Sequence, residues 1–169
     1  MAVDFFNTDC ADNCNLNNFG ICDDTPPPAK PAYISRNIAD KSTWIVDVQN
    51  PNNINVAFIA IDCCIDLRKA DGVSLESRCD CMITHNDSIA FIELKDRISR
   101  GWLAKAKSQV ENTISLFEAN HDSSIYTHKK VLISNKQRPF FQSGFQTIID
   151  DINTNTGYIA DVSATYIVK

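Results

Sequence analysis

Long apolar runs are missing from this chain. The longest, such as Val56 to Ile61, fall far short of the roughly 20 residues that a bilayer crossing demands. A basic segment followed by an apolar one is also missing from the N-terminus, so no secretory leader is expected, and the expectation is a cytoplasmic protein without membrane contact. No internal repeat and no low-complexity tract occurs, which excludes solenoids and fibrous arrays. An excess of positive charge, the usual mark of a protein that meets polyanions, is lacking as well: the net charge is −5.

That deficit is local. Residues 1 to 62 carry eight acidic groups against three basic ones, which accounts for the whole −5, and the remainder is balanced. Between Glu93 and Arg138 nine basic residues face five acidic ones, a local excess of +4 that could meet a phosphate backbone. Within it, Arg97, Arg100, Lys105, Lys136 and Arg138 are the candidate nucleic-acid contacts; a solvated basic face is the plain alternative.

With 169 residues the chain supports one core but not two comfortable domains. The first 32 residues are acidic and rich in Cys, Asn and Pro, ending in Asp23-Asp24-Thr25-Pro26-Pro27-Pro28, and read as an extension and linker before a domain spanning 33–169. The seven cysteines are odd in number and come without a secretory signal, so thiols are expected. Cys63, Cys64, Cys79 and Cys81 sit in apolar, strand-like stretches. The spacing of Cys10, Cys14 and Cys22 would suit zinc only with a fourth ligand, and no histidine lies nearby, so thiols in a loose extension are the preferred reading.

Segment 34–48 is ambiguous between a short helix and a strand. Beyond it, Ile54 to Ile65, Val73 to Thr84 and Ser88 to Lys95 read as strands. Gly101 to Asn120 reads as a helix, because Ala106, Val110, Thr113 with Ile114, and Phe117 recur at helical spacing, with Ser99 as N-cap. A strand at Lys130 to Ser134, a helix at Gly144 to Asn153 and a strand at Ile159 to Val168 complete a β-β-β-α-β-α-β order, that is, an α/β fold with a mixed central sheet flanked by helices.

The chemistry concentrates in Cys79-Asp80-Cys81 and Ile92-Glu93-Leu94-Lys95. Glu93 and Lys95, two apart on a strand, project from one face, with Ala90, Ile92 and Leu94 on the other. If Asn86-Asp87 is the two-residue turn of a symmetric hairpin, Asp80 stands directly across from Glu93, with Cβ atoms roughly 5 Å apart. Directly opposed carboxylates repel, and Mg²⁺ or Mn²⁺ would neutralise them, bind a phosphate oxygen and lower the pKa of a bound water. Lys95 beside that water could orient it or aid its deprotonation, and could offset charge in the transition state. The plain alternative is a strand-end Glu93–Lys95 salt bridge with Asp80 a turn-proximal acid.

Asp80, Glu93 and Lys95, with 12 residues between the first two, resemble the PD-(D/E)XK nuclease superfamily, and residues 54 to 135 carry the likeness. The resemblance implies a restriction-endonuclease-like core and metal-dependent phosphodiester hydrolysis, with Asp80, Glu93 and the Leu94 carbonyl on the metal and Lys95 catalytic. Gln109 on the following helix matches a glutamine of one subgroup, whose tyrosine four residues later is Thr113 here. Two departures stand out: Cys79 replaces the usual proline, and the acidic residue that precedes the first strand in many members has three unranked candidates, Asp40, Asp47 and Asp62.

The expectation is therefore a nuclease, with DNA ahead of RNA as substrate, of the kind used in bacterial or mobile-element restriction and defence. It would act as a homodimer or within a larger complex where both strands are cut. The alternative is a nuclease-fold protein that binds nucleic acid or a protein partner without cutting, as an inhibitor or assembly subunit, and the acidic N-terminal segment fits that reading. Lys136-Gln137-Arg138-Pro139 could touch a backbone, and Trp102 could stack on a base but fits core packing better. His85 belongs to the hairpin turn, and His121 and His128 to the surface.

Overall fold

A computed structural model of the chain describes residues 3–24, 27–96, 99–137 and 144–169. Ten strands and two α-helices follow one another as β1 (Ala11–Cys14), β2 (Asn18–Cys22), β3 (Tyr33–Ser35), β4 (Val46–Gln49), β5 (Val56–Ala60), β6 (Cys81–His85), β7 (Ser88–Lys95), α1 (Trp102–Asn120), β8 (His128–Asn135), α2 (Phe145–Thr156), β9 (Ile159–Val162) and β10 (Thr165–Ile167). Short 3-10 helices occupy Ile38–Thr43 and Ser123–Ile125.

The expected mixed α/β class is what the chain adopts. A six-stranded sheet runs β1-β5-β6-β7-β8-β9, antiparallel as far as β7 and parallel from β7 to β9. A second sheet runs β10-β4-β2-β3 and is also mixed. The larger sheet is the middle layer of three. One face packs Ile59, Met82, Ile89, Phe91, Val131 and Ile133 against α1 and α2. The other packs Phe58, Ile83, Ala90, Ile92 and Leu132 against Phe19, Ile21, Val46, Val48 and Tyr166 of the smaller sheet. Strand β7 is therefore covered on both faces, which is why it reads Ile-Ala-Phe-Ile-Glu-Leu with no exposed position.

Helix α1 buries Trp102, Leu103, Ala106, Val110, Thr113, Ile114 and Phe117, the stripe that the sequence spacing requires. Its N-cap is Gly101, at φ 76°, rather than Ser99, whose contribution is a backbone carbonyl accepting from Trp102 N. Trp102 is buried against Phe145, the core role rather than the base-stacking one.

Three expectations change. The segment 73–84 is a strand only from Cys81. Before it, Gly72 takes φ 68° and the Asp71 carboxylate accepts from Val73 N and Ser74 N, closing a turn. Residues 77–79 then run along α1, where Asn112 donates to the Ser77 carbonyl, Gln109 donates to the Arg78 carbonyl and the Thr113 hydroxyl accepts from Cys79 N. Side chains of the helix replace the ladder partners that a strand would need. Second, the final strand divides at Ser163 and Ala164, so that β9 ends one sheet and β10 edges the other.

Third, the N-terminal segment 1–32 enters the fold. It supplies β1 to the larger sheet and β2 to the smaller, while Phe5 is fully buried against Phe117 and His121. Asn120 and His121 fasten it, accepting from Val3 N and Phe5 N. Cys10 is joined to Cys64 in a disulfide, which corrects the all-thiol expectation for that pair. Cys14 is a buried thiol between the sheets and Cys22 a buried thiol beside Thr43 on the other face of β2, so the three N-terminal cysteines do not converge on a zinc ion. In β2, Gly20 is required by close approach, since a Cβ there would lie 2.1 Å from the Trp44 ring.

Candidate active site

The β6–β7 hairpin has the symmetric register, His85 opposite Ser88 and Cys81 opposite Ile92. Asn86 turns the chain at φ 50°, a left-handed conformation that asparagine tolerates. One step beyond the last ladder pair, Asp80 meets Glu93 on the face turned toward α1. The other face carries Ala90, Ile92 and Leu94 into the core between the sheets. The carboxylates thus stand across from one another at the strand ends where β7 and β8 run parallel.

Glu93 is 0% exposed, so this is no surface salt bridge. Its Oε1 accepts from Lys95 Nζ, while Oε2 is buried without a hydrogen-bond partner among the described residues. Burial pushes the Glu93 carboxyl well above its usual range and the neighbouring Asp80 raises it further, with Lys95 opposing both. Asp80 is partly buried, and its Oδ2 accepts from Leu94 N at 2.6 Å. Desolvation raises its carboxyl to about 7, with the Leu94 N–H and Lys95 pulling it down, and Asp23 and Asp62 adding like charge. Lys95 Nζ also donates to Gln109 Oε1 at 2.8 Å, and the Gln109 amide in turn holds the Arg78 carbonyl at 2.8 Å. Gln109 thus couples the lysine to the segment leading into Asp80. Thr113, standing where the subgroup has tyrosine, holds Cys79 N instead.

Of the three acidic residues left unranked, Asp62 is beside the site: Asp62 N donates to the Asp80 carbonyl, and its carboxylate pairs with Arg78 Nε at 2.7 Å. Asp40 sits on the 3-10 turn and Asp47 pairs with Lys41 on the smaller sheet. Two residues escaped the sequence reading. Asp23 reaches the site from the end of β2, and its carboxyl is raised by burial and then by Asp62. No local pattern announces it. Arg78 carried a usable signal, a lone cation immediately before the Cys-Asp-Cys stretch.

The basic surface is thinner than the charge count suggests. Arg100, Lys105 and Lys136 are exposed, and Lys136 N bonds to the Lys95 carbonyl, which sets it at the site's end of the sheet. Lys107 is engaged by Asp151, Lys129 by Glu118 and the Tyr158 ring, and Lys130 lies over Tyr166. Arg97 and Arg138 lie outside the described residues. His85 is buried, 3.0 Å from the Tyr166 hydroxyl, and takes no part in the carboxylate cluster.

Among the described residues no group of three or more His, Cys, Asp or Glu side chains is arranged to hold a metal ion. The two opposed carboxylates, one with an unpartnered oxygen, nevertheless fit Mg²⁺ or Mn²⁺, which are commonly held by one or two carboxylates with water and substrate oxygens completing the shell. No helix of the described residues is long and apolar enough to cross a membrane. Compared with protein-family models, with curated proteins and with solved structures, the chain gives no match.

Proposed function

We propose that the protein is a metal-dependent nuclease of the PD-(D/E)XK type, with a restriction-endonuclease-like core, acting on DNA ahead of RNA. The observation that carries this is Glu93: a fully buried carboxylate, opposed by a second one, with one oxygen bonded to a lysine and the other without a hydrogen-bond partner among the described residues. Burying a charge without a partner is costly, and such groups cluster where they serve a ligand. When bound, Mg²⁺ or Mn²⁺ would neutralise the pair and activate a water for attack on phosphorus.

The chain's own groups divide the remaining work. Asp80 and Glu93 form the divalent-cation cradle, and the Leu94 N–H fixes the Asp80 carboxylate in place. The Leu94 carbonyl is the third proposed metal ligand. Lys95, steered by Gln109, holds a proton next to the reacting centre and offsets negative charge as phosphorus becomes five-coordinate. Arg100, Lys105 and Lys136, with Arg97 and Arg138, supply the backbone contacts that position a polyanion. The engagement of Lys107, Lys129 and Lys130 by other side chains suits an enzyme that gains affinity from a second copy or a partner protein.

Incubating the purified chain with plasmid, linear and single-stranded DNA and with RNA, in Mg²⁺, Mn²⁺ or chelator, tests the reading. Metal-dependent cleavage lost in Glu93→Gln and Lys95→Ala supports it; intact nucleic acid under every condition rejects it. One feature favours a second reading, a nuclease-fold protein that binds without cutting: Lys95 and Glu93 close on each other as an ion pair. Nucleic-acid or partner binding that persists in Glu93→Gln without any cleavage by the wild type would establish that alternative.

A further inference from the structure

We propose that Arg78 is a phosphate-binding residue, using the edge of its guanidinium opposite Asp62 to hold a phosphoryl oxygen of a phosphodiester. The inference deepens the nuclease reading and rests on it for the location of the substrate. Arg78 is set by α1 rather than by a ladder: Gln109 donates to its carbonyl from the same side chain that accepts from Lys95. Its side chain is 10% exposed, its Nε is bonded to Asp62 at 2.7 Å, and its Nη1 is buried with no hydrogen-bond partner among the described residues.

A guanidinium presents five N–H donors in a rigid fork and does not lose its charge on burial. A buried N–H left unmade on such a group costs more than one on a neutral amide. If Arg78 served only to pair with Asp62, the chain would be expected to leave its far edge in water, as it does for Arg36 in its pair with Asp12. Instead Glu93 Oε2, a buried acceptor, and Arg78 Nη1, a buried donor, have no hydrogen-bond partner among the described residues, and Asp62, which pairs with Arg78, also bears on Asp80. A single ligand class satisfies both, a phosphodiester accompanied by a divalent cation: the anionic oxygen meets the guanidinium and the cation meets the carboxylate.

Charge points the same way. Asp23, Asp62, Asp80 and Glu93 act together on this region, and Lys95 is already engaged by Glu93 and Gln109. A phosphate arriving here needs a cationic group with free donors, and Arg78 offers one. Its planar fork also fixes orientation, which a lysine ammonium would not.

The probe is the dinucleotide thymidylyl-thymidine, which has one phosphodiester, alongside its uncharged methylphosphonate counterpart. Both are titrated in Ca²⁺ and followed by NMR chemical shifts of the protein. The wild type should bind the diester saturably and the methylphosphonate at least tenfold more weakly. Arg78→Lys and Arg78→Gln should each weaken diester binding about tenfold or more and erase the preference. Asp62→Asn, which removes the ion pair and leaves the guanidinium, should retain the preference. Folded Arg78 variants that bind like the wild type would overturn the proposal, as would an Asp62→Asn variant that loses the preference as fully as Arg78→Gln. Should the Arg78 variants fail to fold, the arginine side-chain nitrogen signals of the wild type decide: movement with the diester but not with the methylphosphonate supports the assignment, and no movement rejects it. The outcomes separate from those of the nuclease reading. Arg78-dependent diester binding without cleavage leaves the phosphate site standing and removes the nuclease, whereas cleavage indifferent to Arg78 removes only this proposal.

Discussion

Two of the fully buried polar side chains, Asn50 and Glu93, face opposite fates. Asn50, between β4 and β5, is 0% exposed, yet its amide donates to the Leu16 and Ile54 carbonyls and its oxygen accepts from Ile54 N. Glu93 is equally buried, faces a second carboxylate and leaves one oxygen unpaired. Asn50 is a polar group the fold consumes, since both its amide donor and its oxygen are spent joining the loop between β1 and β2 to the turn before β5. Glu93 is a polar group the fold supports but does not use. The difference teaches that burial alone does not mark function, because a buried polar group can be wholly absorbed by the fold.

The largest expected effect is on Glu93. Replacing it by glutamine should lower cleavage by about 100-fold or more while leaving the fold intact, since the change removes a charge from a site that repels it. The metal-free protein sharpens the point. The folded carboxyls of Asp80, at about 7, and of Glu93 lie above their unfolded values, so the native state holds protons that the unfolded state has released. Stability should therefore fall as pH rises from about 4 toward 7. Mn²⁺ should restore it, and Glu93→Gln should flatten the slope; thermal melts across that range measure both, and a flat wild-type profile would contradict the raised carboxyls.

Next in size is the Cys10–Cys64 bridge, which spans 54 positions and ties β1 to the turn beside Asp62. Cys64→Ser should cost about 4 kcal/mol on the chain-entropy account, seen as a lower urea midpoint, with metal affinity largely kept. Asn50→Leu then tests the other half of the contrast: it should cost about 2–3 kcal/mol by orphaning the groups that Asn50 serves, with no change in metal binding measured by calorimetry. The smallest effect belongs to Lys136→Ala, which should weaken DNA binding a fewfold and reduce the salt slope by about 1 in an anisotropy titration, without altering the melt.

The hairpin was legible because two local rules agree there. Period-two alternation sets the faces of β7, and Asn86-Asp87 sets the register that brings Asp80 to Glu93. The helices were legible by the same kind of local periodicity. What escaped depends on distant partners. β1, Ala-Asp-Asn-Cys, is polar, β2 is short and interrupted by Gly20, and the two become strands only because β5 and β4 await them, while Cys10 finds Cys64 by proximity rather than by motif. Residues 77–79 resemble a strand in composition, but Asn112, Gln109 and Thr113 claim their backbone groups first. The division at Ser163 is likewise set by two sheets competing for one segment, which no window of sequence reveals.

That division has a consequence for assembly during synthesis. The groups from Arg78 to Gln109 lie close along the chain and pair through one hairpin and the helix that follows, so they can come together early. The smaller sheet is different: β10, at residues 165–167, is an edge strand on β4, at 46–49, and Tyr166 and Val168 help to fill the space beneath it. That layer cannot close until residues 165–167 have left the ribosome. Until then, the apolar underside of the central sheet waits for its cover, and the nascent chain is at its most adhesive while the groups from Arg78 to Gln109 are already assembled.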